Sequence, residues 1–384
     1  MPTTKQTIPA ILMGVLYIVL LQYPLHNCAQ ADEYRTLPIT NHGKKWRVGY
    51  YEGGSYINYP ANLRAIAKGL TELGWIEEIP PPEAGDPSDA RPMWQSLSRS
   101  KSDYIQFVEG AFYSAQWNET LRAENRAAVL KRLQGKRLDF IIAMGTWAGQ
   151  DMANNLHSVP TMVVSSSDPV ASGIVKNADR SGIDHVHARC DPLRYIQQVR
   201  LFHDIVGFKR LGIVYENSVV GKSYAALSNI RTVAAERGFK LVTCEAPWSE
   251  VSTQVCTRNL VQCHRMLAPQ IDALFLTVHQ GVDLEHMDEI LQPLMANKIP
   301  TWSQRGPQEV RYGVLLSIAR GDFQPVGMFH ALIMAKIFNG AHPGELNQVF
   351  EDPKRIAINL KTARAIGFRI PRGLIQVADE VYDK

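Results

Sequence analysis

The chain has 384 residues, 45% of them hydrophobic and 20% charged, with a formal net charge of +4. A single core stops growing at roughly 250 to 300 residues, so two lobes are expected. The basic excess is scattered in short pairs such as Lys44-Lys45; without Lys and Arg clustered on one element, it argues against a nucleic-acid partner.

At the N-terminus, Lys5 precedes an apolar run from Ile8 to Leu21, and a polar stretch then ends in Ala29-Gln30-Ala31. This order predicts a signal peptide over residues 1–31, cleaved before Asp32, and hence a periplasmic or otherwise extracytoplasmic protein. An uncleaved membrane anchor is the alternative, because the run approaches the ~20 residues that span a bilayer. Leu25-His26-Asn27-Cys28 resembles a lipoprotein box but carries bulky residues before the cysteine. Cleavage leaves Cys190, Cys244, Cys256 and Cys263 where disulfides persist. Cys256 and Cys263 lie about 10 Å apart along a straight helix, too far to bond directly, so Cys244 with one of them is the expected bridge. Four buried thiols are the other reading.

Short apolar runs then alternate with amphipathic stretches, the mark of βαβ units around parallel sheets. Trp46 to Tyr51 reads as a strand, Gly53-Gly54 as a turn, and Pro60 to Leu73 as a helix stopped by Gly74. Pro80 to Pro92 reads as a surface loop. Strand 104–108, helix 119–133, strand 138–144, helix 146–156 and strand 161–165 complete one α/β lobe. The second lobe is expected to hold helix 192–206, strand 210–215, helix 222–237, strand 240–244, helix 252–266, strand 273–278 and helix 284–296 around another parallel sheet. Short strands at 300–303 and 311–319, an apolar helix over 326–338 and a closing tail from 355 to 375 follow.

Several segments resemble one family, in order along nearly the whole mature chain. They are Gly69-Leu70 to Leu73-Gly74-Trp75, Asp139 to Thr146, Ser167-Asp168-Pro169-Val170-Ala171-Ser172-Gly173-Ile174-Val175, Ile271 to Phe275, Lys298 to Trp302, Gly327, and Ile358 to Gly367. The chain is similar to the ABC-transporter substrate-binding proteins associated with tryptophan and tyrosine uptake. That resemblance implies a type I periplasmic-binding fold: two Rossmann-like α/β lobes joined by a three-stranded hinge, with ligand in the cleft. It places the lobes at 44–170 with 321–345 and at 171–320 with 346–384. It also implies a monomeric importer component that catalyses nothing, needs no cofactor, captures a small molecule and delivers it to an inner-membrane ABC permease. A free-standing sensory protein signalling through a membrane kinase or receptor is the alternative, since one fold serves both.

In open parallel sheets, ligands bind beyond the carboxyl ends of the strands, where helix N-termini present free N–H groups. The expected cleft-facing segments are therefore 51–56, 109–112, 145–147, 165–168, 215–218 and 278–280. Within them Thr146, Ser166 and Ser167 suit a carboxylate, and Glu52, Asp168 and Glu216 suit an ammonium group. Tyr56, Trp147 and Tyr215, with Tyr51 and Trp302, offer an aromatic box, although strand-end aromatics also serve as core. His279 and Gln280 stand where the family usually has Asp-Asn, so the ligand need not be tryptophan or tyrosine; an amino acid or similar zwitterion is expected. His185, His187 and Cys190, or His279, Asp283 and His286, are poor metal candidates. Gly221-Lys222-Ser223 imitates a phosphate loop, but Glu216 occupies the position of its first glycine.

Overall fold

The structure, a computed structural model, describes residues 34–320 and 322–383. The expected signal peptide and Cys28 lie outside the described residues. Strand β1 (Trp46–Glu52) is buried over its last five positions, as a central parallel strand covered on both faces must be. Helix α1 (Asn58–Glu72) turns Leu63, Ile66, Ala67 and Leu70 inward. Helix α2 (Arg91–Ser98) begins with Pro92 in its first turn and follows the proline-rich loop directly. Then come β2 (Ile105–Ser114), α3 (Glu119–Gln134), β3 (Phe140–Met144), α4 (Gly145–Met152), β4 (Thr161–Val164) and β5 (Val186–Ala188). These strands form one parallel sheet in the order β2-β1-β3-β4-β5. The pairing of β5 with β4 keeps the chain in the first sheet to Ala188, past the boundary expected at 170; a three-residue strand carries too little periodicity to be read beforehand.

The second sheet is built from α5 (Arg194–Val206), β6 (Arg210–Tyr215), α6 (Val219–Tyr224), α7 (Leu227–Arg237), β7 (Lys240–Glu245), α8 (Thr253–Leu267), β8 (Ala273–Leu276), α9 (Met287–Ala296), β9 (Thr301–Ser303), α10 (Pro307–Arg311) and β10 (Leu316–Arg320). Helix α11 (Gln324–Phe338) follows, then β11 (Lys354–Asn359), α12 (Leu360–Ile366), α13 (Arg372–Val377) and β12 (Glu380–Tyr382). The strand order is β12-β11-β10-β9-β8-β6-β7. The helix expected over 222–237 breaks into α6 and α7 at Ala226, which is left-handed with φ 52°. The sheet is also not wholly parallel, because β10 and β11 run antiparallel. Between them the chain leaves to form α11 and comes back in the opposite direction.

Helix α11 packs on α1 in the first core, where Ala331, Met334 and Phe338 meet Leu63, Ile66 and Leu70. Glycine permits the approach: a Cβ on Gly327 would sit 2.4 Å from Ala65, and one on Gly69 2.8 Å from Ala331. The chain thus passes between the sheets three times: through residues 189–193, between β10 and α11, and through residues 346–353. The first and third crossings pair: Cys190 N–H donates to Gln348 O (2.7 Å), and Phe350 N–H to Cys190 O (3.0 Å). Beside them Arg189 donates to Asp352 (2.6 Å) and Asp191 (3.3 Å), with all three side chains at most 5% exposed.

Cys244 on β7 bonds Cys263 on α8 with Cα atoms 5.6 Å apart, while Cys190 and Cys256 are buried free thiols. Among the described residues, no helix is long and apolar enough to cross a membrane.

Gly327→Val should lower the unfolding free energy by about 1–3 kcal/mol, the usual cost of overpacking. Gly373→Ala, where a Cβ meets nothing within 4 Å, should leave stability unchanged or raise it by up to about 1 kcal/mol. Urea unfolding of both variants checks the pair.

Candidate ligand-binding site

The first sheet reverses its strand order between β1 and β3, and the second between β6 and β8, so each has its crevice beyond those carboxyl ends. Both crevices open on one cavity between the lobes. The β1–β3 crevice is tight. Gly145 has φ 86°, and a Cβ there would overlap the Tyr59 hydroxyl at 1.9 Å, so only glycine lets α4 start against α1. Beyond β4, Ser165 takes a left-handed φ of 61° and swings Ser165, Ser166 and Ser167 into the cavity wall. Gln116 and Trp117 are left-handed too (φ 50° and 57°) and bring the Trp117 indole to the same wall. Such conformations cost about 1–3 kcal/mol each and persist only where the surroundings fix them.

From the first lobe, Tyr56, Tyr59, Trp117 and Thr146 face the cavity together with the serines; from the other side come Arg194, Tyr195, Tyr224, Trp248, Val278 and Arg305. Trp117 meets Trp248 at 6.2 Å and Trp248 meets Tyr224 at 4.5 Å between ring centroids, giving an aromatic wall that bridges the lobes. Thr146 and Ser166 hydroxyls lie 3.2 Å apart. The buried Tyr224 hydroxyl lies against Thr146, and burial pushes its pKa up. Arg305 lies over the Tyr56 ring at 5.7 Å, donates to Val282 O (3.2 Å) and pairs with Glu309 (3.3 Å). Arg194 lies over Tyr195 at 5.1 Å.

Of the residues expected at the site, Tyr56, Thr146, Ser166 and Ser167 reach this cavity. The others are committed elsewhere. Glu52 is fully buried and accepts from the Tyr50 hydroxyl at 2.5 Å; burial dominates and pushes its pKa up to about 7. Asp168 caps a turn, accepting from the N–H groups of Val170 (3.1 Å) and Ala171 (2.9 Å). Glu216 accepts from Ser249 N–H (3.1 Å) and Oγ (2.5 Å). Tyr215 belongs to the second core, as does Trp302, while the Tyr51 hydroxyl donates to Asp151 at 2.6 Å. Trp147 stands one layer behind the wall, between the Arg122 guanidinium at 4.5 Å and Trp117 at 5.4 Å.

His279 is buried against Trp248; its Nδ1 accepts from Gly281 N–H (3.0 Å) and its Nε2 meets Ala246 O (3.3 Å), which fixes a neutral tautomer. Gln280 turns to Thr253 at 3.4 Å. His185 stacks edge-on with His157 at 4.6 Å, whereas His187 meets Asn347 O at 3.0 Å, so the two histidines do not converge on Cys190. Gly221 is the N–H partner of the Ser218 cap on α6 rather than part of a phosphate loop.

Sequence reasoning missed Asn58, Tyr59, Trp117, Arg194, Tyr195, Tyr224, Trp248 and Arg305, all of which line the cavity. The available signal was positional for only some of them: Asn58 and Tyr59 open α1, and Arg194 and Tyr195 open α5 just after a crossing.

Fold and cavity together define a two-lobed binding protein of the type I periplasmic-binding fold, with ligand space where the lobes meet. The family model described as "ABC transporter substrate binding protein" matches residues 105–382, and the chain belongs to that family. It is a family of binding proteins, not enzymes. The tyrosine-binding protein of Clostridioides difficile is 22% identical over 280 residues, 71% of this chain and 77% of that one. A Streptococcus pneumonia ABC domain in complex with L-Trp matches with TM-score 0.65 and 19% identity over 88% of this chain and all of that one. A ligand-free, open substrate-binding protein with adhesive properties from Clostridium difficile matches with TM-score 0.60 and 20% identity over the same shares. At these identities, the solved structures establish the fold.

Two outcomes follow from these positions. Trp147→Ala should destabilise the ligand-free protein by about 3–5 kcal/mol, as loss of a packed core tryptophan does; a calorimetric melt reads it. Glu52 ionises near 7 folded against its ordinary 4.5, so between those values the unfolded chain binds fewer protons and stability falls as pH rises. Glu52→Gln removes that loss. The stability difference between variant and wild type should be flat below about pH 4.5, move in the variant's favour up to about pH 7 and then level off; unfolding curves at a series of pH values test it.

Proposed function

We propose that this chain is the extracytoplasmic solute-binding component of an ABC importer, secreted by its signal peptide, monomeric, and closing its two lobes around a small, flat, carboxylate-bearing molecule that it hands to an inner-membrane permease. One observation carries the reading: a cavity at the strand carboxyl ends, lined from both sides and already bridged across its rim. Ser172 and Ser223 hydroxyls meet at 2.7 Å, and Glu250 accepts from Glu119 N–H at 3.1 Å. The lobes in this reading are residues 34–188 with 324–345, and 194–320 with 354–383, rocking about the three crossings.

Closure favours ligand only to the extent that ligand binds the closed form better. Hydroxyls and helix N-termini supply a carboxylate site, and the indole and phenol faces supply a slot for a flat body. The relative named for tyrosine and the fold neighbour holding L-Trp support an aromatic acid of that size.

Three measurements test this. A ligand at one hundred times its dissociation constant should stabilise the protein by about 2.7 kcal/mol, and with Trp117 and Trp248 in the wall it should change the intrinsic fluorescence. Oxidised Ser172→Cys/Ser223→Cys protein should exchange ligand far more slowly than the reduced form, because the rim is locked shut. Equal exchange in both forms, with the cross-link verified by mass, would count against closure.

A further inference from the structure

The charges around the cavity narrow the ligand class further, resting on the binding-protein reading above. We infer that the site selects flat organic anions, holding a carboxylate on Arg194 and the hydroxyl cluster while giving an α-ammonium group no ionic partner. Arg194 and Arg305 both face the cavity, and among the described residues no Asp or Glu lines it. Arg194 spends its close contact on the Tyr195 ring. Asp191 and Asp352 act on it only at longer range, because Arg189 takes their carboxylates. Arg305 is paired with Glu309 at 3.3 Å, and that carboxylate also accepts from the Ser303 hydroxyl at 2.6 Å, which leaves Arg194 as the guanidinium for a ligand.

Backbone groups add to the same sign. Helix α4 begins at the cavity without a side-chain cap and turns its positive dipole end toward it, whereas Tyr59 N–H in α1 and Arg194 N–H in α5 already donate to Tyr56 O and Asp191 O. The buried Tyr224 hydroxyl, beside Thr146, extends the hydroxyl cluster in the wall.

A zwitterion would bring its ammonium into an enclosure that already holds two guanidinium groups. The three acids of suitable type in the sequence do not relieve it: Glu52, Asp168 and Glu216 are bonded within their own lobes. Aromatic faces attract cations, but Arg305 and Arg194 already occupy those of Tyr56 and Tyr195. The Tyr59, Trp117, Tyr224 and Trp248 rings complete the wall and can take a flat ring in offset or edge-on contact.

The test compares matched ligands by calorimetry on the intact protein: L-tyrosine with 3-(4-hydroxyphenyl)propionate, L-tryptophan with indole-3-propionate, and tyramine as the amine alone. Each acid should bind at least about tenfold tighter than its amino acid, the effect of one charged group left unpaired, and tyramine should not bind. Arg194→Gln should weaken the acids by about tenfold or more and shrink the acid-to-amino-acid ratio, whereas Arg194→Lys should retain the ratio; melts of the ligand-free variants establish that both fold. An amino acid that binds as tightly as its acid, or tighter, overturns the anion assignment and leaves the receptor reading standing. If neither member of either pair changes heat, melting or fluorescence, the reading as a receptor for flat carboxylates falls, and the anion assignment with it.

Discussion

The architecture depends on one buried guanidinium. Arg189 sits where the chain first leaves the first sheet, donating to Asp191 beside it and to Asp352 on the third crossing, more than 160 positions away in sequence, and to Phe350 O at 3.3 Å. Burying such charges gains little net stability, but removing one partner leaves an uncompensated charge, at a cost of about 3–5 kcal/mol. The arrangement therefore acts less as glue than as a register pin. It fixes how residue 190 lies against residue 349, and so where α5 begins. Arg194 and Tyr195, in the first turn of that helix, are carried to the cavity by the same constraint.

Much of the frame was legible in the sequence because it follows from local rules. The strand of five buried residues after Trp46, the Gly145 turn and the alternation of apolar runs with amphipathic stretches define α/β lobes with crevices at known strand ends. Strand ends locate a site but not the direction of each side chain. Alternation along β1 puts Tyr50 and Glu52 on one face, and their 2.5 Å hydrogen bond turns Glu52 beneath the sheet. Thr146 and Trp147 are neighbours whose side chains diverge: one reaches the cavity, the other the layer behind it. Helix α2 was hidden because proline marks both loops and helix starts. Tyr224, Trp248 and Arg305 reach the site only through tertiary folding, from segments with no shared local signal.

Part of the cavity wall is held by strained backbone. Three left-handed non-glycine residues, Gln116, Trp117 and Ser165, lie in the two loops that bring Trp117 and the serines to it. Such strain persists only where the surrounding structure fixes it, so these loops hold their side chains in place without ligand. Contacts across the rim, from Ser172 to Ser223 and from Glu119 to Glu250, tie the two sides of the cavity together.

The bond from Cys244 to Cys263 has a further consequence. Strand β7 is one border of the seven-stranded sheet, largely solvent-facing, with one side of its backbone unpaired by any strand. Exposed borders of this kind are templates on which other chains add strands and begin to aggregate. Tethering β7 to α8 limits how far it can peel or slide to meet an incoming strand. The covalent link thereby protects the protein's solubility before the folded lobes have met any ligand.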